Sequence, residues 1–132
     1  MDYQTFYASI EKPFFAPEPW VFGFAWGIIY PLIAIAFLYA LYLASKRKIS
    51  WSMVGVFGLN LIANLAFTPL QLGLPNQLYA TFDIVVIVGT LAVLEWYLWK
   101  QSKTLFFLLL PYLLWGSFAT VLQASIYFTN FV

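Results

Sequence analysis

Residues 49–83, ISWSMVGVFGLNLIANLAFTPLQLGLPNQLYATFD, hold no charge before Asp83. Within that run Asn64 and Gln71 stand 4 and 11 positions after Asn60. On an α-helix turning about 100° per residue, the three amides fall at roughly 0°, 40° and 20°, one narrow polar stripe on an apolar rod. A run this long and this apolar reads as a membrane-spanning helix. In hydrocarbon an unpaired amide costs several kcal/mol, so the stripe has to face partner helices or a ligand cavity.

The rest of the chain supports lipid as the solvent. It is 64% hydrophobic and 8% charged, with a mean hydropathy of +0.87, whereas an ordinary soluble domain is about a quarter charged. The fold class expected is an all-α, polytopic membrane bundle forming a single domain over residues 1–132. Four helices are expected, over about 20–44, 50–72, 77–99 and 104–130, each long enough to cross about 30 Å of hydrocarbon. Pro31 is expected to kink the first. Gly73-Leu74-Pro75-Asn76 supplies a turn, with Asn76 as N-cap of the third. Residues 1–19 combine Tyr3, Phe6, Tyr7, Phe14 and Phe15 with Pro13, Pro17 and Pro19. They read as a short amphipathic segment and an extended, proline-stiffened lid, or as an aromatic belt at the interface.

Charge fixes an expected orientation and removes several function classes. Lys46, Arg47 and Lys48 follow the first helix, and Lys100 and Lys103 follow the third. The positive-inside rule puts those two loops in the cytoplasm and both termini on the outer side. A net charge of +1 gives no basic face for nucleic acid, so that partner is excluded. With no Cys and no His, disulfides, zinc sites, strong axial haem ligation and Ser-His or Cys-His catalysis are excluded as well.

Each helix offers one face for comparison. Phe22, Trp26, Tyr30, Ile33 and Phe37 form an aromatic stripe on the first, and Phe67 shares the amide stripe of the second. Asp83, Thr90 and Tyr97 recur every seven residues on the third. Tyr112, Ala119, Gln123 and Asn130 share a face of the fourth, with Trp115 at its margin. Such an interior suits a flat, largely apolar ligand with a few polar substituents; it equally suits aromatic packing with amides bonded between helices. Asp83, an acid inside a membrane segment, is either a functional carboxyl or a structural acceptor. Glu95 lies nearer the helix end, where Lys100 or interfacial water is expected to satisfy it. Ser52, Gly55, Gly58 and Gly89 are expected to admit close helix approach.

These motifs resemble, in order, those of the translocator protein / tryptophan-rich sensory protein (TspO/MBR) family. The resemblance is carried by Phe6-Tyr7 through Glu11-Lys12-Pro13, by Phe15-Ala16-Pro17-Glu18-Pro19-Trp20 leading into Phe22, Trp26 and Tyr30, and by Leu59-Asn60 with Asn64, Ala66 and Phe67. Ala80-Thr81-Phe82-Asp83 and Pro111-Tyr112-Leu113-Leu114-Trp115-Gly116-Ser117-Phe118-Ala119-Thr120 complete it. The family has five helices, and the segment matching its first is expected to be absent here, so that either a second copy covers the open flank or the ligand site is altered. Phe6 and Phe15 stand where the family commonly has tryptophan and Gln123 where it often has asparagine. The tail after Tyr127 has no Lys or Arg, which leaves the proposed cholesterol-recognition pattern incomplete.

What the resemblance implies is a non-enzymatic receptor or translocator in a bacterial or archaeal cell membrane. It would be a homodimer among membrane lipid, with no required cofactor, binding porphyrins such as haem and protoporphyrin or sterol-like lipophiles. The implied ligand-binding residues are Tyr7, Trp26, Tyr30, Asn64, Phe67, Asp83, Ile84, Trp115 and Ala119. Some bacterial members are credited with light-dependent porphyrin breakdown, which two tryptophans permit. Two further readings stay open: a proton-coupled exporter of the small multidrug type, with Asp83 as its carboxyl, and a scaffold subunit.

Overall fold

The computed structural model describes residues 3–74 and 76–130, so Pro75 of the expected turn lies outside the described residues. A short helix α1 (Tyr3–Ala8) precedes four long ones, α2 (Pro19–Ser45), α3 (Trp51–Gly73), α4 (Leu78–Gln101) and α5 (Lys103–Asn130). All four long helices have the length and apolarity to cross a membrane. Large side chains such as Leu38, Leu65, Phe82 and Trp96 stand on the outside of the bundle. Lipid is the solvent in which that surface is stable.

Local chemistry sets the helix ends within a residue or two of the sequence expectation. Pro19 opens α2 after Glu18 in extended conformation, where its fixed φ suits a first turn and its missing N–H is no loss. At the other end the Lys48 N–H bonds back to the Leu43 carbonyl and the Arg47 N–H to that of Ala44, with Arg47 at φ 59°. This left-handed closure usually falls to glycine. Ser50 caps α3, its hydroxyl accepting the Ser52 N–H at 3.0 Å. Asn76 acts one residue earlier than expected: Gln77 holds the N-cap position of α4, while the Asn76 Oδ1 accepts the Leu78 N–H at 2.9 Å. Ser102 alone separates α4 from α5, in extended backbone that lets the chain reverse.

α4 packs along α3 and along α5, α2 packs chiefly on α5, and α2 meets α3 only sparsely. One core runs through the bundle around Ala36, Phe57, Leu91, Leu105, Leu109 and Tyr112. A second, smaller core pins the N-terminal segment, with Phe6 and Ile10 against Leu122 and Ile126 of α5. There the Asn130 side-chain amide exchanges two 2.8 Å bonds with the backbone of Glu11.

Gly55, Gly58 and Gly89 bring no two helices of this chain together. A Cβ on Gly55, Gly58 or Gly89 would meet nothing within 4 Å. The close approach falls instead at Gly116 on α5, where a Cβ would lie 3.3 Å from Val88 Cγ2 on α4. Gly116→Leu should therefore wedge α4 from α5 and cost about 1–3 kcal/mol in detergent unfolding. Gly58→Leu should leave stability within about 0.5 kcal/mol.

Candidate functional site

Among the described residues, a cavity of about 480 Å³ lies toward the end of the bundle that carries the termini. It sits within the 300–1,000 Å³ range of small-molecule sites. α2 supplies its aromatic wall through Phe22, Trp26 and Tyr30, whose four-residue spacing stacks them on one side of the helix, with Trp20 at the rim. Asn64, Phe67, Thr68 and Gln71 of α3 face them, and Ile84 and Ile87 of α4 form the back. Gly116 and Ala119 of α5 leave room where larger side chains would fill it.

The aromatic groups are braced rather than loose. Trp26 stacks on Tyr30 with ring centroids 5.0 Å apart and 27° between planes, and meets Tyr112 edge-on at 6.3 Å. Phe22 is held edge-on between Tyr7 at 5.5 Å and Trp115 at 5.6 Å. Each such pair contributes about 0.5–1.5 kcal/mol beyond its buried area and fixes ring orientation.

Two polar groups bound this apolar space. Deep in the bundle, the Tyr30 hydroxyl donates to Asn64 Oδ1 at 3.1 Å, and Asn64 Nδ2 donates to the Tyr112 hydroxyl at 2.8 Å. Tyr112 in turn donates to Asn60 Oδ1 at 2.9 Å, and Asn60 Nδ2 donates to the Ile87 carbonyl at 2.8 Å and to Thr90 Oγ1 at 3.0 Å. This chain of bonds links all four long helices. Nearer the termini, Gln71 Nε2 donates to Gln123 Oε1 at 2.8 Å and Gln77 Nε2 to the Gln71 carbonyl at 2.7 Å. Gln123 Nε2 reaches Gln77 Oε1 and Thr81 Oγ1, both at 3.3 Å.

Of the nine residues expected at the site, Trp26, Tyr30, Asn64, Phe67, Ile84 and Ala119 line the cavity. Tyr7, Asp83 and Trp115 do not. Tyr7 stands behind Phe22 and ties the lid, donating to the Pro17 carbonyl at 2.6 Å. Burial, and secondarily the Glu18 carboxylate, push its phenol above the ordinary tyrosine value, keeping it a neutral donor. Trp115 braces the outside of Phe22, its Nε1 buried without a partner, and one oxygen of Asp83 is likewise unpartnered.

Gln71, Gln123, Trp20 and Gly23 are cavity residues that the expected set lacks. Both glutamines already fell on polar faces in sequence; Trp20 and Gly23 gave no signal there, because a helix that is apolar all round does not show which side is hollow.

Glu95 departs most from expectation. It is 2% exposed, and neither carboxyl oxygen has a hydrogen-bond partner. Lys100, expected to satisfy it, is exposed at the helix end. Leu91, Leu94 and Leu98 bury α4 on either side of Glu95, so its side chain turns inward instead of reaching the interface.

No group of three or more His, Cys, Asp or Glu that could hold a metal occurs among the described residues, and no carboxyl lines the cavity. What the arrangement offers is ring faces, amides and a phenol. These recognise a ligand without a strong nucleophile or an acid–base pair.

The model of the TspO/MBR family matches residues 1–128. Over 96% of its length the chain is 36% identical to the tryptophan-rich protein TspO of Archaeoglobus fulgidus, covering 81% of that protein. It is also 36% identical to the protein of the same name from Bacillus cereus, with 96% and 82% of the two chains aligned. Similarity to the human translocator protein is 29% identity over 94% of this chain and 74% of that one.

Proposed function

The chain belongs to the TspO/MBR family, and from that membership we propose that its cavity receives a porphyrin such as haem or protoporphyrin, or a sterol-like lipophile. The protein is a multi-pass integral membrane protein. Its relatives carry the names tryptophan-rich protein and translocator protein. In this reading it is a receptor or translocator and not an enzyme. The observation that carries it is the cavity's combination of a braced aromatic wall with a polar group at each end. A flat apolar ring system stacks on Trp26 and Phe22, while its few polar substituents meet Tyr30 and Asn64 at one end or Gln71 at the other.

Without histidine or cysteine, affinity comes from stacking and burial, so iron adds little. Titration of purified protein in mild detergent, followed by porphyrin absorbance and tryptophan quenching, should give protoporphyrin and haem dissociation constants within about threefold of each other, a difference under 1 kcal/mol. Trp26→Ala should weaken both by about tenfold or more, the cost of a lost stacked face. Strict dependence on iron, or unchanged binding in Trp26→Ala, would refute the proposal. The absence of a carboxyl from the cavity lining weighs against a proton-coupled exporter of aromatic cations, which needs one beside its cargo.

A further inference from the structure

Glu95 lies on the seam between α4 and α5. It follows Val88 by seven residues, two turns along the same line of the helix, and Val88 is the side chain that meets α5 at Gly116. Leu109 precedes Gly116 by the same seven residues on the opposing helix. The register therefore sets Glu95 across from fully buried leucine, with Leu91, Leu94 and Leu98 beside it.

The packed elements bring no compensating charge. α3 has no titratable residue at any position, and α2 has only Tyr30, Tyr39 and Tyr42. α5 has Lys103, Tyr112 and Tyr127; α4 itself has Tyr79, Asp83, Tyr97 and Lys100 besides Glu95. Those near this end of the bundle are engaged or turned away. Lys103 Nζ sits 3.0 Å from the centroid of the Trp99 ring, Lys46 Nζ lies 5.8 Å over the Tyr42 ring, Tyr97 accepts the Ser50 N–H at 2.8 Å, and Arg47, Lys48 and Lys100 are exposed. Tyr112 is committed to Asn60 and Asn64. An ionised carboxylate in this position would lack every form of compensation that buried charges normally have.

We propose that Glu95 is a proton-binding site on the α4–α5 seam, a neutral acid while the seam is closed, whose loss of the proton forces the two helices apart. The departing proton leaves as hydronium or to hydroxide, and the carboxylate left behind gains solvation only when water or Lys100 reaches it. That requires the seam to open. Because the same two helices supply Ile84, Ile87, Gly116 and Ala119 to the cavity, the site would link alkaline pH to cavity shape. The proton site itself stands whether or not the cavity takes a porphyrin.

The test uses the full chain reconstituted in phosphatidylcholine vesicles. The infrared difference between wild type and Glu95→Gln, a substitution that keeps shape and volume, should show at neutral pH the carbonyl stretch of a protonated carboxylic acid. Spin labels at Val93→Cys and Phe107→Cys, on exposed surfaces of α4 and α5 in a chain with no other cysteine, report the seam. Their separation should increase by several ångströms between about pH 7 and pH 10 in wild type and stay fixed with Glu95→Gln, as linkage to one titrating group requires. Carboxylate bands at neutral pH, a separation that does not change, or a change that persists in the Gln variant would each overturn the proposal.

Discussion

Tyr112→Phe is expected to destabilise the bundle by about 2–4 kcal/mol in detergent unfolding. The substitution keeps the ring, which is 1% exposed and packed edge-on to Trp26, and removes only the hydroxyl. That hydroxyl is both acceptor and donor: Asn64 Nδ2 donates to it at 2.8 Å and it donates to Asn60 Oδ1 at 2.9 Å. A single interhelical hydrogen bond in a membrane protein contributes about 0.6 kcal/mol on average, so counting bonds would predict a mild effect. Stranded partners decide otherwise. Asn60 is fully buried and Asn64 is buried, and each deprived amide group carries its own desolvation penalty of about 1–3 kcal/mol. The diagnostic is a double-mutant cycle. Asn60→Leu removes one stranded group in advance, so Tyr112→Phe in that background should cost about 1–2 kcal/mol less than in wild type. Additive losses would mean that the amides re-pair locally and that the network is not a unit.

The same network shows what a sequence can and cannot specify. Asn60, Asn64 and Gln71 were readable as a lipid-avoiding stripe, because uncompensated amides in hydrocarbon leave few options. Four membrane helices were readable for the same reason, since length and apolarity alone determine them. The stripe's division was not readable. Asn60 and Asn64 turn to Tyr112 whereas Gln71 turns to Gln123, and which phenol or amide stands opposite depends on the packing order of helices that are hydrophobic on every side. Six of the nine residues that the family motifs point to line the cavity, whereas Tyr7, Asp83 and Trp115 do not; Tyr7 and Trp115 brace Phe22 from one layer back. Glu95 misled for a related reason. Distance from the helix end suggests access to the interface, but the side of the helix decides, and two turns from Val88 that side faces α5.

Gly23→Phe should abolish measurable ligand binding, with a loss of about a hundredfold or more, while leaving the fold as stable as before. Gly23 lines the cavity, and a Cβ added there meets nothing within 4 Å. A phenyl ring therefore enters the cavity without displacing the core. Exchanging a mid-helix glycine for a residue with a side chain also favours the helix by a few tenths of a kcal/mol, which offsets small repacking costs. The binding loss is steric: in a space of about 480 Å³, a ring lying across from Phe67 and Asn64 takes the place where a flat ligand would stack on Trp26. A hundredfold loss corresponds to about 2.7 kcal/mol, less than the apolar burial such a ligand would forfeit at about 25 cal/mol per Å². Gly27 is the control. It lies one turn further along α2, is equally free of neighbours and does not line the cavity, so Gly27→Phe should bind protoporphyrin within about twofold of wild type. Equal loss in both variants would trace the effect to α2 as a whole, and equal retention would place the ligand outside this cavity.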